Sequence, residues 1–437
     1  MIAGIGLRPY EERLLVPSPD PLPPVAALAG SGRFGRAVVY ELGDTWHLAF
    51  GALAEVRVRG DHIEVRSGDR FERRVLAPDL SNLDDALAGL PVEDWHAFGW
   101  AAFELTADPA DRDPNAVLLE LVVPRTHVLL SPGRTLVRSV DEAELDAVGK
   151  LLDDPPGVDE SPSGSVELDL GDGGDYRDAV AAAVAVIRSG QLSKAIISRT
   201  VPIEERIDFA ATLVRGRRAN TPARSFLVDC PDFQAVGFSP ETIVEVGADR
   251  TVATCPLAGT RARLGEADYD RRLREELLSD PKELYEHAVS VKAAFDEMRS
   301  VCEAVHVSDF MDVSARGSVQ HLASRVSGRL RGDRNRWQAF AALFPGITAS
   351  GIPKPAARRL IRLLERRPRG LYAGAVIACD ARGRLDAALV LRSLFRRRGR
   401  TWLQAGAGIV ADSRPEREYE ETCEKLRSIA PYLVTER

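Results

Sequence analysis

Between residues 38 and 65, apolar side chains fall at alternate positions or in short β-branched runs, over 38–42, 45–50, 56–58 and 62–65, punctuated by Gly and Asp. That period puts successive side chains on opposite faces and predicts a series of short strands. A longer apolar run at 118–130 continues the β-rich character. A helical pattern at 141–152 precedes 153–165, where Pro, Gly, Ser and acidic residues predict a connection. Beyond it, Asp175 is placed to cap a helix over 176–189, and 194–201 reads as a strand. The clearest amphipathic helices cover 280–302 and 415–429. The chain thus divides into a β-rich half, 1–165, and a mixed half, 170–435. At 437 residues both fit within one large domain spanning 1–437.

Composition narrows the possibilities. With 45% hydrophobic and 28% charged residues, the chain resembles an ordinary globular enzyme and can bury a large core. A formal net charge of −7 argues against nucleic acid as a partner, because binding phosphates needs a basic face. Any anionic ligand must therefore meet locally placed Arg and Lys. The run Arg396, Arg397 and Arg398 lies between two strand-like stretches and reads as a solvated hairpin turn. Cys230, Cys255, Cys302, Cys379 and Cys423 lack CxxC spacing, which predicts no zinc site and no disulfide framework. No run of about 18 apolar residues occurs, and the start lacks a basic segment followed by a long apolar one. A soluble cytoplasmic protein without a membrane partner is expected.

The two amphipathic helices carry the chemistry. Glu283 and Glu286 stand three residues apart and share a helix face, with His287 beside Glu283 at i+4. Glu418 and Glu421 repeat the spacing, followed by Lys425. If the helices face each other, four carboxylates gather. They repel unless a cation lies among them, and a hard, all-oxygen donor set selects Mg²⁺. Taken singly, each pair also fits a solvated helix face. A glycine-rich turn at 404–409 and the segment 256–261, which follows a β-branched strand, offer backbone N–H groups to an anion, and each equally fits a packing or strand-bend device. Lys194 precedes the apolar run Ala195-Ile-Ile, and Glu241 follows Phe238-Ser-Pro240. Apolar surroundings would suit the first to act as a base and the second to stay protonated as an acid.

In order along the chain come Lys194-Ala-Ile-Ile-Ser-Arg199, Gly237-Phe-Ser-Pro-Glu241, Pro256-Leu-Ala-Gly-Thr260, Lys282-Glu-Leu-Tyr-Glu-His287 and Arg316-Gly-Ser-Val-Gln-His321. Thr348-Ala-Ser-Gly-Ile-Pro-Lys354, Arg369-Gly-Leu-Tyr-Ala-Gly374, Ala405-Gly-Ala-Gly-Ile409 and Pro415-Glu-Arg-Glu-Tyr-Glu-Glu-Thr-Cys-Glu-Lys425 complete the series. Together they resemble the chorismate-utilising enzymes, the family of anthranilate, isochorismate, aminodeoxychorismate and salicylate synthases, over roughly 175–433. The resemblance implies an α+β fold like that of anthranilate synthase component I, in which antiparallel β-sheets pack together with helices outside.

It also implies roles. Lys194 resembles the lysine that activates water in isochorismate- and salicylate-forming members, where ammonia users commonly carry Gln. Ala258 replaces the nucleophilic lysine common in aminodeoxychorismate synthases. Residues 348–354 and Tyr372 are most similar to the salicylate-forming members. Two positions depart from that pattern: Cys255, where a carboxylate is frequent, and Ala323, where Gly is usual. The expectation is conversion of chorismate through isochorismate to salicylate and pyruvate, with release of isochorismate as the alternative. An anthranilate-type activity or a non-catalytic chorismate-binding role follows behind. Lys194 is expected to act as base and Glu241 as acid. Mg²⁺ is expected on Glu286 and Glu421 directly, and on Glu283 and Glu418 through water. Gly259, Thr260, His321, Thr348, Tyr372, Arg392, Gly406, Gly408 and Lys425 are expected to hold the substrate, without an obligatory glutaminase partner.

Overall fold

The computed structural model describes residues 10–436 except 91, 154, 156–165, 264 and 318. Most of the connection expected at 153–165 therefore lies outside the described residues. Two antiparallel sheets dominate, one of eleven strands and one of twelve, among the described residues. The first joins one block of strands from each half of the chain: Ala37–Leu42 pairs on one side with Thr45–Phe50 and on the other with Arg224–Cys230. The second joins them where His96–Ala101 pairs with Ala375–Asp380.

Alternation along the strands separates two cores. In Ala37–Leu42, Val38 and Tyr40 enter the core between the sheets, alongside Val56, Phe98 and Val376 of the second sheet. Ala37 and Val39 enter the other core, where Leu28, Leu145, Leu213 and Leu426 of covering helices meet the sheet's outer face. A period of two therefore serves sheet–sheet packing with one set of side chains and sheet–helix packing with the other.

The early strand expectations are met at Ala37–Leu42, Thr45–Phe50, Ala54–Arg59 and His62–Ser67. The run at 118–130 is two strands, Val117–Val123 and Thr126–Ser131. Pro124 has no N–H for a ladder, and the chain changes sheet there. The helix placed at 176–189 is Gly174–Arg188, so Asp175 lies in its first turn and Gly173 precedes it in a left-handed conformation.

Two of the sheet changes in the second half of the chain carry site residues. Phe233–Ser239 belongs to the first sheet and Thr242–Val246 to the second, with Pro240 and Glu241 between them. The chain returns between Leu385–Leu389 and Ser393–Arg397, which leaves Arg392 at the crossing.

Candidate active site

Every residue expected to act or bind lines one cavity of about 840 Å³. Lys194 opens the strand Lys194–Ile203, whose first five residues are all buried. Its side chain is 1% exposed, with Nζ 2.9 Å from Glu286 Oε1 and 3.2 Å from Ser290 Oγ. Glu241, buried at the sheet crossing, accepts from Leu257 N at 2.9 Å and from the Thr348 hydroxyl. Burial pushes its carboxyl up to about 7. A buried acid that holds its proton near neutrality is what a general acid requires.

The two acidic helices meet as expected. Asp280 caps Pro281–Val301 by accepting from Lys282 N and Glu283 N, and Pro281 occupies the first turn. This start fixes the face that bears Glu283 and Glu286. Each carboxylate is turned to a basic group: Glu283 to Arg261 at 3.2 Å, Glu286 to Lys194, Glu421 to Lys425 at 2.8 Å and Glu418 to Lys282 at 3.5 Å. So turned, no three carboxylate, imidazole or thiol groups among the described residues converge as metal ligands. The donor set nevertheless fits a cation. Glu418 is 1% exposed and neither of its carboxylate oxygens has a hydrogen-bond partner. Burial, then Glu421, pushes it up to about 7. His287, the neighbour of Glu283 in the sequence reading, turns away to Ser324, with Nε2 2.7 Å from Oγ.

Across the cavity, Arg392 Nη2 lies 2.6 Å from His321 Nε2, and His321 Nδ1 lies 3.0 Å from Thr260 Oγ1. A guanidinium can only donate, so Nε2 accepts and Nδ1 carries the proton. The Thr260 oxygen then accepts from His321, which frees its own O–H for a ligand. Burial, then Arg392, keeps His321 well below its ordinary value and therefore neutral. Arg392 makes no carboxylate ion pair within 4.0 Å among the described residues, so its guanidinium keeps donors that a carboxylate could take up. Gly259, at φ +75, bends the neighbouring strand, and a Cβ there would lie 3.0 Å from Glu283 Oε2.

The segment 404–409 is not a turn but the end of the strand Arg400–Ile409. Its pairing with Ser393–Arg397 stops at Leu403, leaving one edge of 404–409 without a neighbouring strand among the described residues. Gly406 O accepts from Lys425 Nζ at 2.8 Å. One strand residue projects N–H and C=O to the same edge, so the Gly406 N–H opens there too. A Cβ on Gly406 would lie 3.0 Å from the Tyr372 hydroxyl. The glycines therefore supply room and backbone donors by ending the ladder, rather than by turning the chain.

Residues whose individual roles the sequence concealed include Arg261 and Lys282, which neutralise the acidic cluster, and Lys354. The Lys354 ammonium reaches Glu297 Oε2 and Leu343 O, each at 2.8 Å. Nothing in their spacing marks these pairings, because the partners are distant in sequence. Replacing Lys354 by Met leaves Glu297 mostly buried without its counter-ion. The expected cost is roughly 3–5 kcal/mol in urea unfolding near pH 7.5. A midpoint close to wild type would show that the pair adds nothing.

Against known proteins, the family model described as chorismate binding enzyme matches residues 37–431. The salicylate synthase of Mycolicibacterium paratuberculosis is 42% identical over 91% of this chain and 89% of its own length. An anthranilate synthase component 1 of Haloarcula marismortui is 41% identical over 59% of this chain, which spans about half of that relative (49%). The menaquinone-specific isochorismate synthase of Escherichia coli superposes with a TM-score of 0.72 over 97% of this chain and 95% of its own, at 21% identity. The fold, with its antiparallel sheets and outer helices, agrees with the sequence expectation. Since the model spans most of the chain and a near full-length relative shares over two-fifths of its residues, the chain belongs to the chorismate-binding enzyme family.

Proposed function

We propose that the protein is a Mg²⁺-dependent salicylate synthase, converting chorismate through isochorismate to salicylate and pyruvate. The observation that carries this reading is the shared cavity: a buried lysine and a carboxyl that burial pushes up to about 7 line one space with a group of carboxylates and with Arg392 and Lys425. The 42% identity to a salicylate synthase over most of both chains supports the specific product.

In this reading Arg392, with the Gly406 and Gly408 backbone and Tyr372, receives the enolpyruvyl carboxylate, while Gly259, Thr260 and His321 line the ring. Lys194 removes a proton from water attacking C2. Glu241 gives its proton to the C4 hydroxyl, which leaves as water, so composition is unchanged. Glu283, Glu286, Glu418 and Glu421 would hold Mg²⁺, with Lys425 beside them. When bound, the ion neutralises the acidic cluster and fixes the ring carboxylate. Loss of pyruvate follows by intramolecular hydrogen transfer, which needs orientation more than a further base.

The nucleophile is water, so no glutaminase partner is needed. Five free cysteines suit a reducing cytoplasm. No helix among the described residues is long and apolar enough to cross a membrane. Because each sheet draws strands from both halves, the chain is read as one domain, whose halves would not fold apart.

Purified protein incubated with chorismate and Mg²⁺ should yield salicylate and pyruvate in equal amounts, and none after chelation. Isochorismate accumulating without pyruvate would support the isochorismate synthase reading instead. A second test follows from Glu241. It acts while protonated and its carboxyl lies at about 7, so kcat/KM should fall as pH rises through that value. The Thr348 hydroxyl favours the charged form. Thr348→Val should therefore move this alkaline limb to higher pH; a limb that stays put assigns it to another group.

A further inference from the structure

Behind the cavity wall lies a side chain that does not line the cavity. Arg369 is 4% exposed and spends its guanidinium on three separate elements. Nη2 donates to Ile196 O at 2.7 Å, on the strand that carries Lys194. Nη1 donates to Ala349 O at 2.7 Å, in the short turn that carries Thr348. The plane lies over Tyr372, 5.7 Å to the ring centroid, and over Phe103 at 4.6 Å. Its charge is met by Glu365, through Nε to Oε2 at 2.9 Å and Nη2 to Oε1 at 2.5 Å.

The anchor is itself fixed from several sides. Glu365 Oε1 also accepts from Ser198 N at 2.7 Å and Ser198 Oγ at 3.0 Å. Glu104 accepts from Arg369 N at 2.7 Å and Gly370 N at 3.2 Å. A planar fork can satisfy two carbonyls and a carboxylate while stacking on a ring; a lysine ammonium cannot.

We propose that Arg369 is the positioning residue that sets Tyr372, the Thr348 turn and the Lys194 strand relative to one another. It thereby controls how much isochorismate goes on to lose pyruvate. This rests on the salicylate reading. The first step uses Lys194 and Glu241, whose reacting ends are held by bonds of their own to Glu286, Ser290 and Leu257 N rather than by Arg369, whereas the second has no acid or base and depends on orientation alone. A displacement of about 1 Å costs on the order of 10²-fold in a step that is driven by positioning.

The test compares wild type with Arg369→Lys and with Glu365→Gln, which loosens the anchor while keeping its shape. Chorismate consumption and pyruvate release are followed, and isochorismate is also supplied directly. Pyruvate release from isochorismate should fall at least ~10-fold more than chorismate consumption, with isochorismate accumulating, and less severely in Glu365→Gln. A merely structural role lowers both steps together, in proportion to the folded protein seen by thermal melt. An unchanged product ratio in whichever variant folds overturns the positioning role. A wild type that itself stops at isochorismate overturns the salicylate reading instead, which separates the two failures.

Discussion

Replacing Lys194 by Ala is expected to lower kcat with chorismate by roughly 10²–10⁴-fold while the protein remains folded, since that is the range one general acid–base group supplies. The side chain is fully enclosed, and its ammonium meets Glu286 Oε1 and Ser290 Oγ. Truncation thus removes the proton acceptor on that wall and opens a space that water can fill. Glu286 loses its counter-ion, so the melt is best measured with Mg²⁺ present. Lys194→Gln sharpens the experiment: its amide can hydrogen-bond Ser290 and Glu286 but cannot take a proton from water. Both variants should be inactive, and Gln should melt nearer to wild type than Ala. A small primary amine added to the Ala variant should restore part of the rate, and added to the Gln variant should not. Near-native turnover in either would remove Lys194 from the mechanism and leave the source of nucleophilic water elsewhere on the wall.

What the sequence disclosed here, and what it hid, follows from the range of each interaction. Glu283 with Glu286 and Glu418 with Glu421 were legible because helix geometry alone puts i and i+3 on one face. The meander of early strands was legible because its period is two. The segment 404–409 was misread because a Gly-Ala-Gly run looks the same whether the chain turns or a ladder ends. Only the stop of pairing at Leu403 distinguishes the two. Glu241 and Arg392 were named, yet the reason they meet was invisible: each occupies a crossing between sheets, which is a property of topology. Arg369 and Lys282 stood inside quoted motifs without a role, because their partners Ile196, Ala349 and Glu418 lie far along the chain.

Those crossings also bear on how the site keeps its charges. Crossing loops carry backbone N–H and C=O groups away from both ladders, and here Ser239, the last residue of its strand, meets two of them. Its hydroxyl lies 2.8 Å from Glu241 O and 2.6 Å from Leu389 O, while the Glu241 carboxylate accepts from Leu257 N at the start of a second-sheet strand. The acid is therefore held by the same bonds that join the sheets. Its protonation state depends on burial that only the assembled pair of sheets provides.

Gly408→Ala should be the converse case, a change that spares stability and removes activity. The glycine sits in a strand at a φ outside the left-handed region, so alanine suits its backbone. By restricting the unfolded chain, it would add about 0.4–1 kcal/mol where nothing resists. The new Cβ would lie 2.7 Å from Glu286 Oε1 and 3.4 Å from Lys194 Cε. The first contact is too close, and the group that gives way is the far end of a flexible side chain rather than backbone, so the fold itself need not shift. The melting temperature should therefore hold within a few degrees of wild type. The displaced carboxylate is one proposed to hold Mg²⁺, and the lysine next to it is the proposed base. Turnover should fall on the order of 10²-fold, because a shift of about 1 Å at a positioned group costs that much. Mg²⁺ titration by calorimetry should show weaker binding in the same variant, independently of any rate. Native affinity together with native turnover would mean that Glu286 does not serve the ion from where it stands, and the metal site would have to be sought among the remaining carboxylates.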